Sequence, residues 1–358
     1  MRVIVVGGGL IGQAIAWRLA SKAVDVVVVD KKSPYAASRV GAGLLIPAKG
    51  RLSRHHFALR RASADLYPSF VAELERQTGR SCGYNPCGSL TLAYQPKAEQ
   101  ALTGLIGCLK GFAIETSLLS ARECFSREPA LGPDVAGGFY TPDHQVDPVA
   151  LLEALRQASL SQGVEQVEGF VVAVDHDRVK LGDGRVLRGR RVVVANGAWI
   201  GKIFPLPVYP VKGEVIVLKA APDLIRHNLH LQRAGLYVAN RGDGRYVVGA
   251  TEEEVGFDTS ISATAKLYEK VCHLVPALRQ SELLDSKVGF RPKVGDGLPI
   301  MGDYEGIVVA GAHYQNGILQ TPITAELLSD YIVSGVVSEL MEDFLPTRDL
   351  CARHRAPV

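Results

Sequence analysis

A glycine-rich hexapeptide near the start of the chain has the clearest chemical signature in the sequence. GGGLIG, residues 7–12, follows the apolar run VIVV and precedes a segment with apolar residues at helical spacing. Gly7 permits a tight turn, Gly9 lets the backbone approach a pyrophosphate, and Gly12 allows the helix to pack on the strand. Asp30 ends the next apolar run, where an acidic residue can bind a ribose hydroxyl. The segment therefore predicts a dinucleotide site, with the phosphates at a helix N-terminus.

A second segment, GFRPKVGDGLPIMG at 289–302, contains an arginine between an apolar approach and a proline. A guanidinium is permanently charged and presents a rigid fork of donors that matches a carboxylate. Arg291 is therefore a candidate for binding an anionic substrate, and an interdomain salt bridge is the structural alternative.

Composition and charge exclude several classes of protein. The chain has 358 residues, of which 47% are hydrophobic, and a net charge of +3. These values predict a packed protein with more than one domain, and they do not favour nucleic acid or an anionic membrane as a partner. No apolar run approaches the roughly 20 residues that span a bilayer, and no signal peptide is predicted before the first strand. The six cysteines lack metal-site spacing, which predicts reduced thiols, no metal site and a cytoplasmic location.

The sequence also predicts the helices and strands that must position these residues. Helices are predicted at 56–79, 151–163, 262–275 and 323–335. Buried strands are predicted at 3–6, 24–30 and 306–312, a half-exposed strand at 87–94, and strand sets at 171–197 and 208–250. Residues 171–197 are expected to hold three strands, and the turns Asp183-Gly184 and Asp243-Gly244 predict hairpins.

The order of these elements predicts an α/β (α+β) protein with two interleaved domains. A Rossmann-like domain with a mainly parallel sheet is expected at 1–80, 140–205 and 290–358. An antiparallel-sheet substrate domain is expected at 81–139 and 206–289. The return of the chain to the first sheet at 306–312, and the presence of one fingerprint rather than the two of an NADPH-linked reductase, favour FAD that meets a small substrate directly.

Several motifs in order resemble one family, the FAD-dependent amine oxidases of the D-amino-acid oxidase group, and most closely the glycine oxidases of thiamine biosynthesis. The resemblance covers essentially the whole chain. Its motifs are GGGLIG with Asp30, GAGLL (41–45), VVVANGAW (192–199), YPVKGEVIVL (209–218), YVVGATEE (246–253), GFRPKVGDGLPIMG and AGAHYQNGILQTP (310–322).

The resemblance implies noncovalent FAD, because Gly289 and Phe290 stand where relatives with covalent flavin carry a cysteine. Val171 matches a position whose backbone reads the adenine, and residues 195–197 match the turn behind the ribityl chain. Residues 316–319 are expected to open the final helix and to direct N–H groups at the flavin. The implied cofactor-binding residues are Gly7, Gly9, Leu10, Ile11, Gly12, Asp30, Lys31, Ser38, Arg39, Gly43, Leu44, Val171, Ala195, Gly197, Trp199, Arg291, His313, Gln315, Asn316, Gly317, Ile318 and Leu319.

The resemblance also implies the catalytic set of Arg291, Tyr237, Gln315 and Gly43. In the family, the position of Arg291 clamps the substrate carboxylate and that of Tyr237 adds a hydroxyl. An ordinary strand aromatic is the alternative for Tyr237, and a structural histidine is the alternative for His313. Glycine oxidases often carry a second arginine where this chain has Gln315, so a secondary amine, an N-substituted glycine or a larger D-amino acid joins glycine as a candidate substrate. His55 and His56, beside Arg54 and Arg60, are expected on a solvated surface.

The implied reaction is hydride transfer from a small anionic amine to flavin N5, followed by hydrolysis of the imine to an oxo acid and ammonia or an amine. Dioxygen would reoxidise the flavin and yield hydrogen peroxide. Three alternatives remain at this stage: a dehydrogenase that uses a quinone, a flavoprotein that modifies tRNA, and a binding protein that retains FAD without catalysis. The sequence leaves a homo-oligomer open.

Overall fold

The computed structural model of the protein describes residues 1–48, 53–94, 98–114, 116–232 and 234–351. A few residues of each expected domain lie outside the described residues. They are 49–52 and 352–358 of the expected cofactor domain, and 95–97, 115 and 233 of the expected substrate domain. Two large β-sheets dominate the described part of the chain.

The secondary-structure elements follow one another in an alternating order. The strands are β1 (Arg2–Val6), β2 (Asp25–Asp30), β3 (Leu44–Leu45), β4 (Ser89–Ala93), β5 (Leu118–Ser120), β6 (Gly137–Thr141), β7 (His144–Gln145), β8 (Glu165–Glu168), β9 (Val171–Val174), β10 (Arg178–Leu181), β11 (Val186–Arg188), β12 (Arg191–Val194), β13 (Tyr209–Lys219), β14 (Asn228–Leu231), β15 (Leu236–Asn240), β16 (Arg245–Gly249), β17 (Glu282–Lys293), β18 (Ile300–Tyr304) and β19 (Ile307–Gly311). The helices are α1 (Leu10–Ser21), α2 (Ala37–Val40), α3 (Arg54–Thr78), α4 (Ala98–Gly111), α5 (Ala121–Arg127), α6 (Pro148–Ser161), α7 (Ile200–Ile203), α8 (Thr264–Leu274) and α9 (Thr321–Ser334).

The first sheet has six strands in the order β18-β19-β12-β1-β2-β8. Its neighbours pair in parallel except β18, which runs antiparallel to β19. These strands come from the start, middle and end of the chain. The predicted mainly parallel sheet, assembled from distant segments, is therefore confirmed.

Both faces of this sheet are covered, which explains why its strands are nearly continuous runs of valine and isoleucine. Helices α1, α3, α6 and α9 pack on one face, and Trp17 of α1 is fully buried there. The small sheet β9-β10-β11 packs on the other face, with Val179 buried among the strand residues. Parallel strands buried in this way end at one edge, where a ligand site forms.

The second sheet has eight strands in the order β17-β13-β16-β15-β14-β4-β6-β5. It is antiparallel except for the pair β14 and β4. The hairpin predicted at Asp243-Gly244 joins β15 to β16, and the hairpin predicted at Asp183-Gly184 joins β10 to β11. The antiparallel partner sheet of the predicted fold class is therefore confirmed.

Two local expectations differ from the structure. Residues 171–197 contain four strands rather than three, because the turn at 175–177 separates β9 from β10. Residues 316–319 precede the last helix, which begins at Thr321 with Pro322 in its first turn. Strand β17 extends to Lys293 and carries Arg291 in the antiparallel sheet. Among the residues that the structure describes, no helix has both the length and the hydropathy of a membrane span.

Candidate active site

A first cavity of about 580 Å³ lies at the carboxyl edge of the parallel strands. It is bordered by the glycine turn after β1, by the end of β2, and by the turn after β12. The structure brings together here the predicted residues Gly7, Gly9, Leu10, Ile11, Asp30, Lys31, Ser38, Arg39, Val171, Ala195, Gly197, Trp199, Arg291, His313, Gln315, Gly317 and Ile318.

The glycine turn has the close packing that its sequence predicts. Gly7 has a φ of 109°, in the region that favours glycine, and its N–H donates to Val29 O at 2.8 Å. A β-carbon at Gly12 would lie 1.9 Å from Gly7 O. Gly12 does not line this cavity, and its role is to allow α1 to start directly against β1.

The N-terminus of α1 faces the first cavity. Gly9 is the N-cap of α1, and a β-carbon there would lie 3.0 Å from Ser38 Oγ. The N–H of Leu10 donates to the same hydroxyl at 3.1 Å. Ser38 therefore stands directly over the glycine turn, where a bound phosphate would meet the partial positive charge of the helix.

Cationic and aromatic side chains line the outer part of the first cavity. Lys31 Nζ lies 4.2 Å from the centre of the Trp199 ring, which stacks on Phe257 at 5.4 Å. Burial lowers the pKa of Lys31, and the neighbouring Asp30 carboxylate opposes this effect. Phe257 and Lys202 were not predicted from the sequence, because they come from a loop and a helix without a recognisable motif.

A buried polar atom in the first cavity indicates that a ligand binds there. Within the described residues, Oδ1 of Asn196 is buried and has no hydrogen-bond partner in the protein. A buried acceptor without a partner is costly, and a bound donor would remove that cost. Together with the glycine turn, Asp30 and the nearby cations, this donor and acceptor set fits a dinucleotide.

His313 lines the first cavity but is fixed by the protein itself. Its Nε2 lies 3.0 Å from Thr324 Oγ1, and the side chain is buried. Burial lowers the pKa of His313 to about 3, so the imidazole is neutral.

A second cavity of about 1210 Å³ adjoins the first along the eight-stranded sheet. Gly41, Arg291, Tyr314, Gln315 and Ile318 line both cavities and mark their junction. The predicted residues that line the second cavity are Gly43, Leu44, Tyr237, Arg291, Gln315, Asn316 and Ile318. The predicted residue Leu319 lines neither cavity and is buried in the core.

Arg291 lies flat across the neighbouring strand. A β-carbon at Gly213 of β13 would lie 2.3 Å from Nη1 of Arg291, so only glycine leaves room for the guanidinium. The same Nη1 donates to Thr251 O at 3.1 Å. These contacts hold the guanidinium at the junction of the two cavities. Within the described residues Arg291 forms no salt bridge of the kind considered above.

Tyr237 of β15 approaches Arg291 of β17 across the two intervening strands, β13 and β16, and both side chains line the second cavity. A β-carbon at Gly249 of β16 would lie 2.5 Å from the Tyr237 hydroxyl, so a second strand glycine makes room for this ring. Burial raises the pKa of Tyr237, while hydrogen bonding with Arg291 opposes the shift. The phenol is therefore a neutral donor beside the guanidinium. Glycine inside a strand often marks a close approach, and this was the signal for Gly213 and Gly249 that sequence reasoning missed.

Gln315 binds an acidic side chain that the sequence analysis did not single out. Its Nε2 donates to Glu252 Oε2 at 2.9 Å, and the hydroxyl of Tyr314 donates to Oε1 of the same carboxylate. Tyr314 has a φ of 51°, in the left-handed region. Burial raises the pKa of Tyr314, and the bond to Glu252 raises it further.

Helix α3 supports the turn that precedes α9. Ser63 Oγ donates to Leu319 O and the Tyr67 hydroxyl donates to Ile318 O, both at 2.6 Å. Both hydrogen bonds join residues about 250 positions apart, so no local pattern reveals them. They fix the backbone that carries Ile318 into both cavities.

The expectation of a solvated surface is confirmed for His55, which is exposed, and wrong for His56. His56 and its neighbour Arg60 are buried, and Nε of Arg60 donates to Nε2 of His56 at 3.2 Å. Burial lowers the pKa of Arg60 to about 10. Both side chains line the second cavity, because α3 turns this face toward the sheet and not toward solvent.

Comparison with known proteins identifies the family. The model of the DAO family, described as FAD dependent oxidoreductase, matches residues 2–331. The chain belongs to this family. Its fold and its cofactor, FAD, follow from that membership, and the residues of the first cavity fit FAD.

Three relatives of this DAO family member illustrate the similarity. The bifunctional protein ThiO/ThiG of Synechocystis sp. is 36% identical over 97% of this chain and 54% of its own length. The structure of glycine oxidase from Geobacillus kaustophilus has a TM-score of 0.91 at 31% identity, covering 97% of this chain and 99% of that one. The structure of iminodiacetate oxidase from Chelativorans sp. BNC1 has a TM-score of 0.88 at 25% identity, covering 96% and 99%. The chain thus spans about half the length of the bifunctional relatives.

Proposed function

We propose that this protein catalyses the FAD-dependent oxidation of a small amine or amino acid that carries a carboxylate. The observation that carries the proposal is the convergence of Arg291 and Tyr237, over Gly213 and Gly249, in the second cavity, with Arg291 at its junction with the first. A charged fork and a neutral phenol donor together form a site for one carboxylate.

The proposed cofactor site is the first cavity. Gly9, Leu10 and Ser38 would meet the pyrophosphate, and Asp30 would bind a ribose hydroxyl. Bound there, FAD would supply the hydride acceptor. The turn at 317–318, supported by α3, would hold the flavin end at the junction of the cavities.

The protein's own residues would bind and orient the substrate. Arg291 would form two parallel charge-assisted hydrogen bonds with the carboxylate, and such bonds contribute about 1.5–3 kcal/mol each. Tyr237 would donate a further bond from a fixed position. With the carboxylate held, the α C–H of a neutral amine would face the junction of the cavities. Loss of a hydride then gives an imine, which water converts to an oxo acid and ammonia or an amine.

The relatives support the reaction class. Glycine oxidase and iminodiacetate oxidase are the names of two similar structures, and both names denote oxidation of an amine that carries a carboxylate. We include dioxygen as the acceptor, with hydrogen peroxide as its product. A cytoplasmic location and the division into a cofactor domain (1–80, 140–205, 290–358) and a substrate domain (81–139, 206–289) are parts of the same proposal.

An anaerobic titration tests the proposed function. Glycine, sarcosine, iminodiacetate, D-alanine and D-proline are added separately to the FAD-loaded protein, and loss of the oxidised flavin absorbance is followed. We expect at least one of these amines to reduce the flavin, and Arg291→Met to raise the required concentration at least 100-fold without loss of FAD. The proposal fails if none of the amines reduces the flavin of the wild-type protein.

A further inference from the structure

The second cavity contains a carboxylate close to its proposed carboxylate-binding arginine. Glu252 lines this cavity and directly follows Thr251, whose carbonyl accepts the 3.1 Å bond from Arg291 Nη1. A negative charge therefore lies beside the arginine that would hold the substrate.

The position of Glu252 is fixed by two neutral donors. The Tyr314 hydroxyl binds Oε1 and Gln315 Nε2 binds Oε2 at 2.9 Å, so each oxygen has its own partner. Both donors belong to the short 3₁₀ turn at 314–316, which lies at the junction of the cavities. The carboxylate is therefore held against the turn at the junction of the cavities, at the exposed rim of the second cavity.

The charge of Glu252 is not removed by an ion pair. In the ranges that the structure describes, no lysine or arginine forms a salt bridge with Glu252. Arg291 donates to Thr251 O, and Lys293 forms its ion pair with Glu254 at 2.7 Å while also interacting electrostatically with Glu252. Neutral donors orient a carboxylate but leave its unit charge in place.

The second cavity has room for more than an amine as small as glycine. Its volume is about 1210 Å³. A substituent on the amine nitrogen or the α-carbon would therefore extend past Arg291 and meet the field of Glu252. Like charges placed together in a binding site are strongly disfavoured, and opposite charges are favoured.

We propose that Glu252 is a specificity-determining residue that disfavours amines with a second carboxylate and favours amines whose distal substituent is neutral or cationic. This inference rests on the proposed function, because it takes Arg291 as the anchor of the first carboxylate. It concerns the charge of the substrate rather than its size.

Three N-substituted glycines of similar length test the proposal. Iminodiacetate has a second carboxylate, its monoamide N-(carbamoylmethyl)glycine replaces that group with a neutral one of the same shape, and N-(2-aminoethyl)glycine carries a cation. In the wild-type holoenzyme we expect kcat/KM for the monoamide to exceed that for iminodiacetate about tenfold, which corresponds to ~1.4 kcal/mol.

The variant Glu252→Gln removes the charge and keeps an oxygen that accepts a hydrogen bond. We expect the ratio of monoamide to iminodiacetate to fall toward one, and kcat/KM for N-(2-aminoethyl)glycine to fall relative to the monoamide. Opposite effects on the anionic and cationic probes separate a loss of charge from a general loss of structure. Glu269→Gln, which removes an exposed acid of α8, is the matched control and should keep the wild-type ratios.

Binding of unreactive ligands separates this inference from the proposed function. Diglycolate and its monoamide have the same shapes without an oxidisable amine, and their binding is measured by perturbation of the flavin absorbance. We expect Glu252→Gln to tighten diglycolate about tenfold relative to its monoamide. Equal ratios in the wild type and Glu252→Gln, for binding and for turnover, would overturn the role of Glu252. If no amine is oxidised but the diglycolate ratio responds, the amine-oxidase proposal fails and the charge selection stands.

Discussion

A β-carbon at Gly213 would lie 2.3 Å from Nη1 of Arg291, although the two residues belong to different strands. The missing side chain of Gly213 is thus the space in which the guanidinium lies. The closest contacts of this β-carbon are with the mobile end of a side chain and not with backbone, so the guanidinium would move before the sheet does.

We expect Gly213→Ala to impair substrate binding much more than stability. Displacement of the guanidinium should raise KM for carboxylate amines at least tenfold, while the free energy of unfolding changes by about 1 kcal/mol or less. Steady-state kinetics and denaturant unfolding measure the two effects. Gly182→Ala is the matched control, because its nearest contacts would be an ordinary 3.5 Å or longer. An unchanged KM in Gly213→Ala would show that the guanidinium does not bind the substrate.

Alanine substitutions at two glycines of the fingerprint, Gly12 and Gly9, should have different effects. In Gly12→Ala the new methyl group would meet Gly7 O at 1.9 Å, so the melting temperature of the flavin-free protein should fall by several degrees. In Gly9→Ala it would lie 3.0 Å from Ser38 Oγ, at the surface of the first cavity. We expect this variant to keep the flavin-free melting temperature and to bind FAD at least tenfold more weakly. Identical behaviour of the two variants would contradict separate roles.

Tyr67 should affect FAD binding from outside the cavity. Tyr67→Phe removes the 2.6 Å bond to Ile318 O, which should cost about 1 kcal/mol of stability and weaken FAD severalfold. Tyr246→Phe removes the hydrogen bonds of its hydroxyl to Ala221 O at 2.5 Å and Pro222 O at 3.0 Å, and the bond that Leu224 N donates to it at 3.2 Å, in the core of the other sheet. This control should lose at least as much stability without a change in FAD affinity. Equal FAD affinities in both variants would exclude a positioning role for Tyr67.

Stability should depend on pH through His313. Burial lowers the pKa of its imidazole to about 3, from an ordinary value of 6.5. Between these values the unfolded chain binds a proton that the folded protein does not, so the free energy of unfolding falls as pH is lowered below about 6.5. The slope is at most about 1.4 kcal/mol per pH unit for one proton. We expect His313→Asn to have a shallower slope between pH 4 and 6.5 with FAD in excess, and parallel curves would contradict the buried neutral state.

The sequence alone determined the order of the elements and the type of cofactor. Valine-rich runs buried on both faces, helical spacing and the Asp-Gly turns act over a few residues, so the pattern that predicts them is also the cause of the structure. The fingerprint at Gly7, Gly9 and Gly12 belongs to this class. Its spacing lies within one strand, turn and helix, although Gly7 and Gly9 also pack against Ala195 and Ser38. Family resemblance then singled out Arg291 and Tyr237.

Only the tertiary structure decided what surrounds those residues. The space at Gly213 depends on the register of β13 with β17, and the contact of Gln315 with Glu252 joins residues 63 positions apart. The burial of His56 and Arg60 likewise depends on where α3 docks, since a half-apolar helix can turn either face outward until its neighbours are in place. Local patterns carry no information on such distant pairings, because the free energy that selects them comes from packing between segments and not from the conformational preference of either one.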